Sequence, residues 1–160
     1  MKIWLPVAAS LLVAAAAAAQ EPVPQFREGL WSIESKTTEN PGGKVRGASQ
    51  TICRNHAYDE YAKGLSKKTQ CKVSETMSGG ALLTEADCTI QGSAIKSKGK
   101  VTFSGDSAHS EVHTTQTPPL FGVSESTMIM DQKYVGACPA GVQPGDIMGA
   151  DGKVMSRWKH

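Results

Sequence analysis

Hydrophobic and polar residues alternate on both sides of Gly79-Gly80, which is the pattern of two β-strands that each bury one face. A pair of glycines between such segments predicts a two-residue hairpin turn. Counting outward from this turn places Cys71 opposite Cys88 in a non-hydrogen-bonded pair, whose Cα atoms lie about 4.5 Å apart. That spacing is within reach of a disulfide, so the register predicts a Cys71–Cys88 bond.

Similar alternation continues along most of the chain and predicts further strands, the first of them at residues 29–37. A turn signal at residues 98–99 would place Phe103 opposite Ala94, and the following Gly-Asp turn would place it opposite Ala108. The predicted fold class is mostly β, an antiparallel meander of seven or eight strands with one short helix. The sheet is expected to form a half-open or closed barrel.

The helical pattern is confined to residues 55–65, where Asn55 is placed to cap the first turn. Apolar side chains recur there at helical spacing, and the stripe that they form is predicted to pack on the sheet. Its members are Ala57, Tyr58, Tyr61, Ala62 and Leu65.

The first residues have the composition of a secretory signal peptide. Lys2 precedes an apolar run, and small residues before Gln20 fit a cleavage site, so residues 1–19 are predicted to be removed. The competing interpretation is a transmembrane anchor, which the alanine-rich composition disfavours. The mature chain is predicted to be exported to the periplasm, with one β-rich domain at 20–138 and a Pro/Gly-rich tail at 139–160.

The formal charge is +2 and falls to +1 when Lys2 is removed, which gives no electrostatic basis for binding nucleic acid. An even number of cysteines in an exported chain predicts disulfides, and the hairpin bond leaves Cys53 to pair with Cys138. Zinc is the alternative, but the four cysteines show no CxxC spacing. We therefore expect two disulfides and no cofactor.

These features resemble a known family. The chain has a Gly-Leu-Trp strand near its mature start, Cys53 before a short helix, two cysteines that frame a hairpin, and a closing segment at 134–138. It is similar to the small exported proteins of Gram-negative bacteria catalogued as domain of unknown function 3617. The resemblance implies a compartment and a fold, but no activity, catalytic residue or cofactor. Arg54-Asn55 departs from the usual helix start, which is expected to affect only the cap.

One polar cluster could bind a metal. His109, Glu111 and His113 share a strand face, and His-x-His is a known zinc-ligand spacing. The two histidines would, however, lie about 13 Å apart along the strand, and Val112 points to the other face. A solvated outer face is therefore the preferred interpretation, with a weak metal site as the alternative.

The function expected from this fold is non-catalytic binding of an apolar or envelope-derived small molecule between sheet and helix. The candidate lining residues, which a plain core would also use, are Trp31, Tyr61, Phe103, Met128 and Met130. Glu75 faces inward opposite Thr84, either at a sheet edge or as a polar group in the cavity. The alternative is a protein-binding module, an inhibitor or an assembly factor, that acts through loops or the tail. A cavity of at least ~300 Å³ would favour the first function, and an exposed apolar patch the second.

Overall fold

The computed structural model of this protein describes residues 22–68 and 71–158. The predicted signal peptide at 1–19 and its cleavage before Gln20 lie outside the described residues. No helix in the described part of the chain is both long enough and apolar enough to cross a membrane.

The described residues form one helix and nine strands. The strands are β1 (Gly29–Asn40), β2 (Lys44–Arg54), β3 (Cys71–Ser78), β4 (Ala81–Ile90), β5 (Ser93–Ser104), β6 (Ser107–Leu120), β7 (Val123–Gly136), β8 (Ile147–Met148) and β9 (Val154–Ser156). The helix, α1 (His56–Lys68), lies between β2 and β3 in the chain. The mostly β class with a single helix is confirmed.

The strands form one antiparallel sheet in the order β3-β4-β5-β6-β7-β1-β2-β8-β9. The first seven strands are a meander whose chain order is interrupted once, because α1 carries the chain from β2 across to the far edge at β3. The two edge strands, β3 and β9, do not pair with each other, so the sheet is half-open rather than closed.

The predicted β3–β4 register is confirmed. Cys71 lies opposite Cys88, and Glu75 lies opposite Thr84. Both predicted disulfides are present, with Cα–Cα distances of 4.2 Å for Cys71–Cys88 and 5.6 Å for Cys53–Cys138.

The turn predicted at residues 98–99 is wrong. The β4–β5 turn is formed by Gln91-Gly92, and β5 continues unbroken through Gly99. Phe103 lies opposite Ala108 as predicted, but Ala94 is on the same strand as Phe103 and pairs with Thr89 of β4 and Thr117 of β6. Gly99 lies within β5, and a glycine suits this position because a Cβ would collide with the Thr84 hydroxyl of the neighbouring strand.

Along β5 and β6, half-buried and exposed side chains alternate. The half-buried side, which carries Trp31, Phe103 and Met130, is called the inner face below. Residues on this face are partly shielded from solvent even where no helix covers them, which indicates that the sheet curls towards this side. The hydrophobic core is on the inner face, where Trp31, Ile33 and Ile52 are buried from β1 and β2.

The predicted packing of the helix is only partly correct. Asn55 caps α1, because the Tyr58 backbone N–H donates to its side-chain oxygen at 2.8 Å. Leu65 is 45% exposed and Tyr61 is 37% exposed, so most of the apolar stripe does not pack on the sheet. Trp158, from the end of the chain, lies against Tyr61 with ring centroids 5.0 Å apart.

The segment predicted as an extended tail instead continues the sheet through β8 and β9. The Cys53 N–H donates to the Asp146 carbonyl at 3.1 Å, and the Gly145 N–H donates to the Cys53 carbonyl at 2.7 Å. Asp146 is only 1% exposed, and its carboxylate accepts a hydrogen bond from the Gln143 N–H at 3.0 Å. These bonds fix the C-terminal segment beside the Cys53–Cys138 disulfide.

Candidate functional site

A cavity of about 240 Å³ lies between α1, the N-terminal residues 23–26 and the inner face of the sheet. We call it the helix-side cavity. Apolar side chains form much of its wall, with Phe26 from the N-terminal segment and Leu82, Val101 and Phe103 from the sheet. Residues 23–26 and α1 are not part of the sheet. Together they cover one part of its inner face.

Arg54 brings a positive charge to this cavity from the end of β2. Its Nη2 lies 2.7 Å from the Asp59 carboxylate, and its Nη1 donates to the Gln132 side-chain oxygen at 3.1 Å. The Arg54 and Asp59 side chains are only 14% and 12% exposed. The pair is therefore largely desolvated, and the two charges compensate each other within the wall of the cavity.

Aromatic contacts hold the N-terminal segment on the sheet. The Phe26 ring meets Trp31 edge-to-face with centroids 5.0 Å apart, and it meets Phe103 at 5.8 Å. The Arg54 guanidinium carbon lies 3.7 Å from the Phe26 ring centroid, which is a cation–π geometry. Phe26 thus packs against both the charged and the apolar part of the cavity wall.

Tyr58 packs against the core beside this cluster. Burial raises the pKa of its hydroxyl above the ordinary value of 10.0, although the positive charge of Arg54 acts in the opposite direction. The hydroxyl therefore stays protonated through the neutral range.

The remaining charged residues of the lining are closer to solvent. Glu75 is exposed on the edge strand β3 and also lines the cavity, so both structural roles predicted for it apply. His56 Nδ1 lies 3.6 Å from the Glu28 carboxylate, and both side chains are more than half exposed. These residues mark the side on which the cavity opens.

Comparison with protein families identifies the chain. Residues 26–138 match the family described as Protein of unknown function (DUF3617). The chain belongs to this family. The matched range begins at Phe26 in the cavity wall and ends at Cys138, the second partner of the long-range disulfide. Comparisons with curated proteins and with solved structures give no significant match.

In this DUF3617 member, the predicted lining residues lie in different surroundings. Phe103 lines the helix-side cavity, whereas Trp31 is 2% exposed in the core behind it. Met130 packs against that core, and Met128 is half-buried further along the inner face. Tyr61 is not part of the lining, because it lies against Trp158.

Phe26, Arg54 and Gln132 belong to this site but were not predicted as parts of it. The expectation that Arg54 affects only the helix cap is wrong, since Arg54 pairs with Asp59 and packs on Phe26. The sequence does show an arginine directly after Cys53, which could have suggested a charged group near the disulfide. Its partners, however, come from α1 and β7. Local pattern carries no information about such long-range contacts.

The candidate metal residues lie on the outer face and have other partners. His109 Nδ1 is 2.7 Å from the Asp131 carboxylate, and His113 Nε2 is 3.1 Å from the Glu125 carboxylate. Glu111 lies between the two histidines on the same strand face. Among residues 22–68 and 71–158, no three His, Cys, Asp or Glu side chains are grouped so that they could hold a metal ion.

A second cavity, of about 460 Å³, lies where the β1–β2 and β6–β7 turns meet. We call it the hairpin-end cavity. Lys44 and Arg46 line it, together with Phe121 at the β6–β7 turn. Arg46 Nε lies 3.2 Å from the Glu39 carboxylate, and its side chain is 61% exposed.

Proposed function

We propose that this DUF3617 member is a non-catalytic periplasmic binding protein, and that the helix-side cavity takes an apolar or envelope-derived small molecule. The observation that carries the proposal is the cavity itself, in which Phe26, Leu82, Val101 and Phe103 face one space beneath α1. Ligand sites are typically concave, mostly apolar and equipped with a few placed polar groups. Arg54, held by Asp59, supplies such a group.

The size of the cavity constrains the ligand. At about 240 Å³ the helix-side cavity alone does not reach the ~300 Å³ given above as favouring a small-molecule site. It fits one end of an apolar molecule, and the rest of that molecule would lie along the open inner face.

Five of the six charged or histidine residues that the structure describes in the lining have a partner, which supports binding rather than acid–base catalysis. The sixth, Glu75, is exposed on the edge strand β3. Arg54 is paired with Asp59, His56 with Glu28 and Lys63 with Glu60. A general base needs a free acceptor directed at the substrate. The ion pairs at this site instead fix the walls of the cavity.

The compartment follows partly from the disulfides, which form and persist in oxidising, extracellular environments. We infer the periplasm, because residues 1–19 have the composition of a secretory signal peptide. The intact mass of protein recovered from a periplasmic extract tests this step. A chain beginning at Gln20 is expected, and a chain that retains residues 1–19 would refute it.

Binding can be tested with a neutral apolar fluorophore, N-phenyl-1-naphthylamine, titrated into the purified mature protein. Ala62 and Ala57 are both exposed on α1, but only Ala62 lines the helix-side cavity. We expect Ala62→Phe to fill the cavity and weaken binding at least tenfold, and Ala57→Phe to bind like the wild type. Equal binding by both variants, or none by the wild type, would refute the proposed site.

The alternative function, a protein-binding module that acts through loops, is favoured by one observation. Phe121 is 84% exposed at the β6–β7 turn and has a positive φ of 52°, an unusual conformation for a bulky residue. Exposed aromatic residues commonly anchor protein interfaces. Proteins from a periplasmic extract that bind the wild type and Ala62→Phe but not Phe121→Ser would support this alternative.

A further inference from the structure

The helix-side and hairpin-end cavities lie on the same face of the sheet. Ser110 lines the first and Gln116 lines the second, and both are on β6 with side chains on the inner face. Six residues of strand separate them, which corresponds to about 20 Å. The two cavities are therefore joined by one strip of the inner face, which we call the trough.

The floor between them has an apolar centre, with Ser35 and Thr114 beside it. Val112 on β6 lies opposite Met128 on β7, and both are half-buried on the inner face. Met130, two residues further along β7, packs against the core beside the helix-side cavity. Methionine side chains are flexible and polarizable, so this floor can adapt to an apolar chain.

The hairpin-end cavity has a different chemistry. Its lining combines Lys44 and Arg46 with the single carboxylate of Glu39, so the two cations exceed the anion by one charge. Gln116, Thr37 and Ser126 add hydrogen-bonding groups. Arg46 is on the same cross-strand row as Met128, through Thr37 of β1, so the basic groups adjoin the apolar floor directly.

We propose that the ligand is an elongated amphiphile with a negatively charged head group. Its apolar chain would enter the helix-side cavity and lie over Met128 and Met130, and its phosphate or carboxylate would meet Lys44 and Arg46. This inference rests on the proposed function, because it takes the helix-side cavity as the place where the apolar end binds.

The test uses palmitate and methyl palmitate as competitors of N-phenyl-1-naphthylamine. In Lys44→Gln/Arg46→Gln, palmitate is expected to bind about five- to tenfold more weakly, while methyl palmitate and the fluorophore change by less than about twofold. The matched control is Lys98→Gln/Lys100→Gln, which removes two charges from exposed positions of β5 on the outer face. The control should retain wild-type affinity for palmitate.

Chain length gives a second criterion. Each buried methylene strengthens binding roughly fourfold, so octanoate, which is too short to span the trough, should bind at least about a hundredfold more weakly than palmitate. Palmitoyl lysophosphatidate carries a phosphate, whereas palmitate carries a carboxylate. Whichever of these two ligands has the head group that fits the site better should lose more affinity in Lys44→Gln/Arg46→Gln.

The proposed apolar site and the proposed head-group site can be refuted by different results. If palmitate and methyl palmitate bind equally and Lys44→Gln/Arg46→Gln changes neither, the head-group site is refuted, although fluorophore binding blocked by Ala62→Phe would still support the apolar site. Octanoate binding as tightly as palmitate would likewise overturn the trough. If the fluorophore does not bind the wild type, the proposed function fails and this inference fails with it.

Discussion

Arg54 places a positive charge beside Phe26 and other apolar side chains, and its neighbours compensate for that charge. Asp59 supplies a carboxylate at 2.7 Å, Gln132 accepts a further hydrogen bond, and the Phe26 ring lies against the guanidinium. A charge in a wall with little water is tolerated only when it is paired and hydrogen-bonded. Each partner comes from a different element, so at the scale of single residues this cluster links β2, α1, β7 and the N-terminal segment.

Removing the carboxylate partner should therefore destabilise the fold. For Asp59→Ala we expect a loss of about 3 kcal/mol in unfolding free energy, because Arg54 would keep its charge in a largely buried position. Urea unfolding measures this loss. The control is Glu85→Ala, whose partner Lys98 is 79% exposed, and it should cost less than about 1 kcal/mol. Equal losses in the two variants would contradict the assigned role of the Arg54–Asp59 pair.

The burial of Tyr58 predicts that the free energy of unfolding falls at alkaline pH. Burial raises the pKa of its hydroxyl in the folded state above 10.0, so the folded chain holds this proton more tightly than the unfolded chain. The stabilising contribution is complete below the unfolded pKa and is lost as pH rises through the higher folded-state pKa. Unfolding free energies of wild type and Tyr58→Phe, compared near neutral pH and at about pH 11, should show a smaller alkaline loss in the variant. Identical losses would mean that Tyr58 does not contribute to the alkaline loss of stability.

At the scale of elements, the β3–β4 hairpin was predictable and the β4–β5 hairpin was not. Gly79-Gly80 is a standard turn pair, and it fixes the register of all the residues that follow outward from it. In the next hairpin the turn uses Gln91-Gly92, with a φ of 50° at Gln91, while Gly99 lies inside β5, where Thr84 leaves no room for a Cβ. A single sequence does not distinguish a glycine required for a turn from one required by close packing.

The candidate site was less predictable than the fold for a related reason. A cavity between sheet and helix follows from the meander and the single helix, and alternation within β5 places Phe103 on its wall. Phe26, in contrast, precedes the first strand in a segment without periodicity. Its position is set by contacts with Trp31, Phe103 and Arg54, which belong to three different strands.

The two disulfides should differ in their effect on stability. Cys71–Cys88 closes a loop with a sequence separation of 17, and Cys53–Cys138 closes one with a separation of 85. In the chain-entropy model the two disulfides stabilise the fold by about 3 and about 4.6 kcal/mol, respectively. Cys138→Ser is therefore expected to lower the melting temperature more than Cys88→Ser. A thermal melt of each variant measures this difference, and the reverse order would show that unfolded-chain entropy is not the dominant effect.

At the scale of the whole molecule, the half-open sheet constrains how the proposed ligand would bind. The helix α1 crosses from β2 to β3 and covers part of the inner face together with residues 23–26. The hairpin-end cavity lies further along the same face. Such a shape would shield one end of the proposed apolar ligand from water and leave its other end at the surface.

The central claim is that the helix-side cavity binds an apolar molecule. Native mass spectrometry of the mature protein, recovered from a periplasmic extract without detergent, tests it most directly. We predict a bound, solvent-extractable apolar molecule on the wild type and on Ala57→Phe, and its loss from Ala62→Phe. A wild-type chain that carries no such molecule, or an Ala62→Phe chain that carries as much as the wild type, would contradict the account.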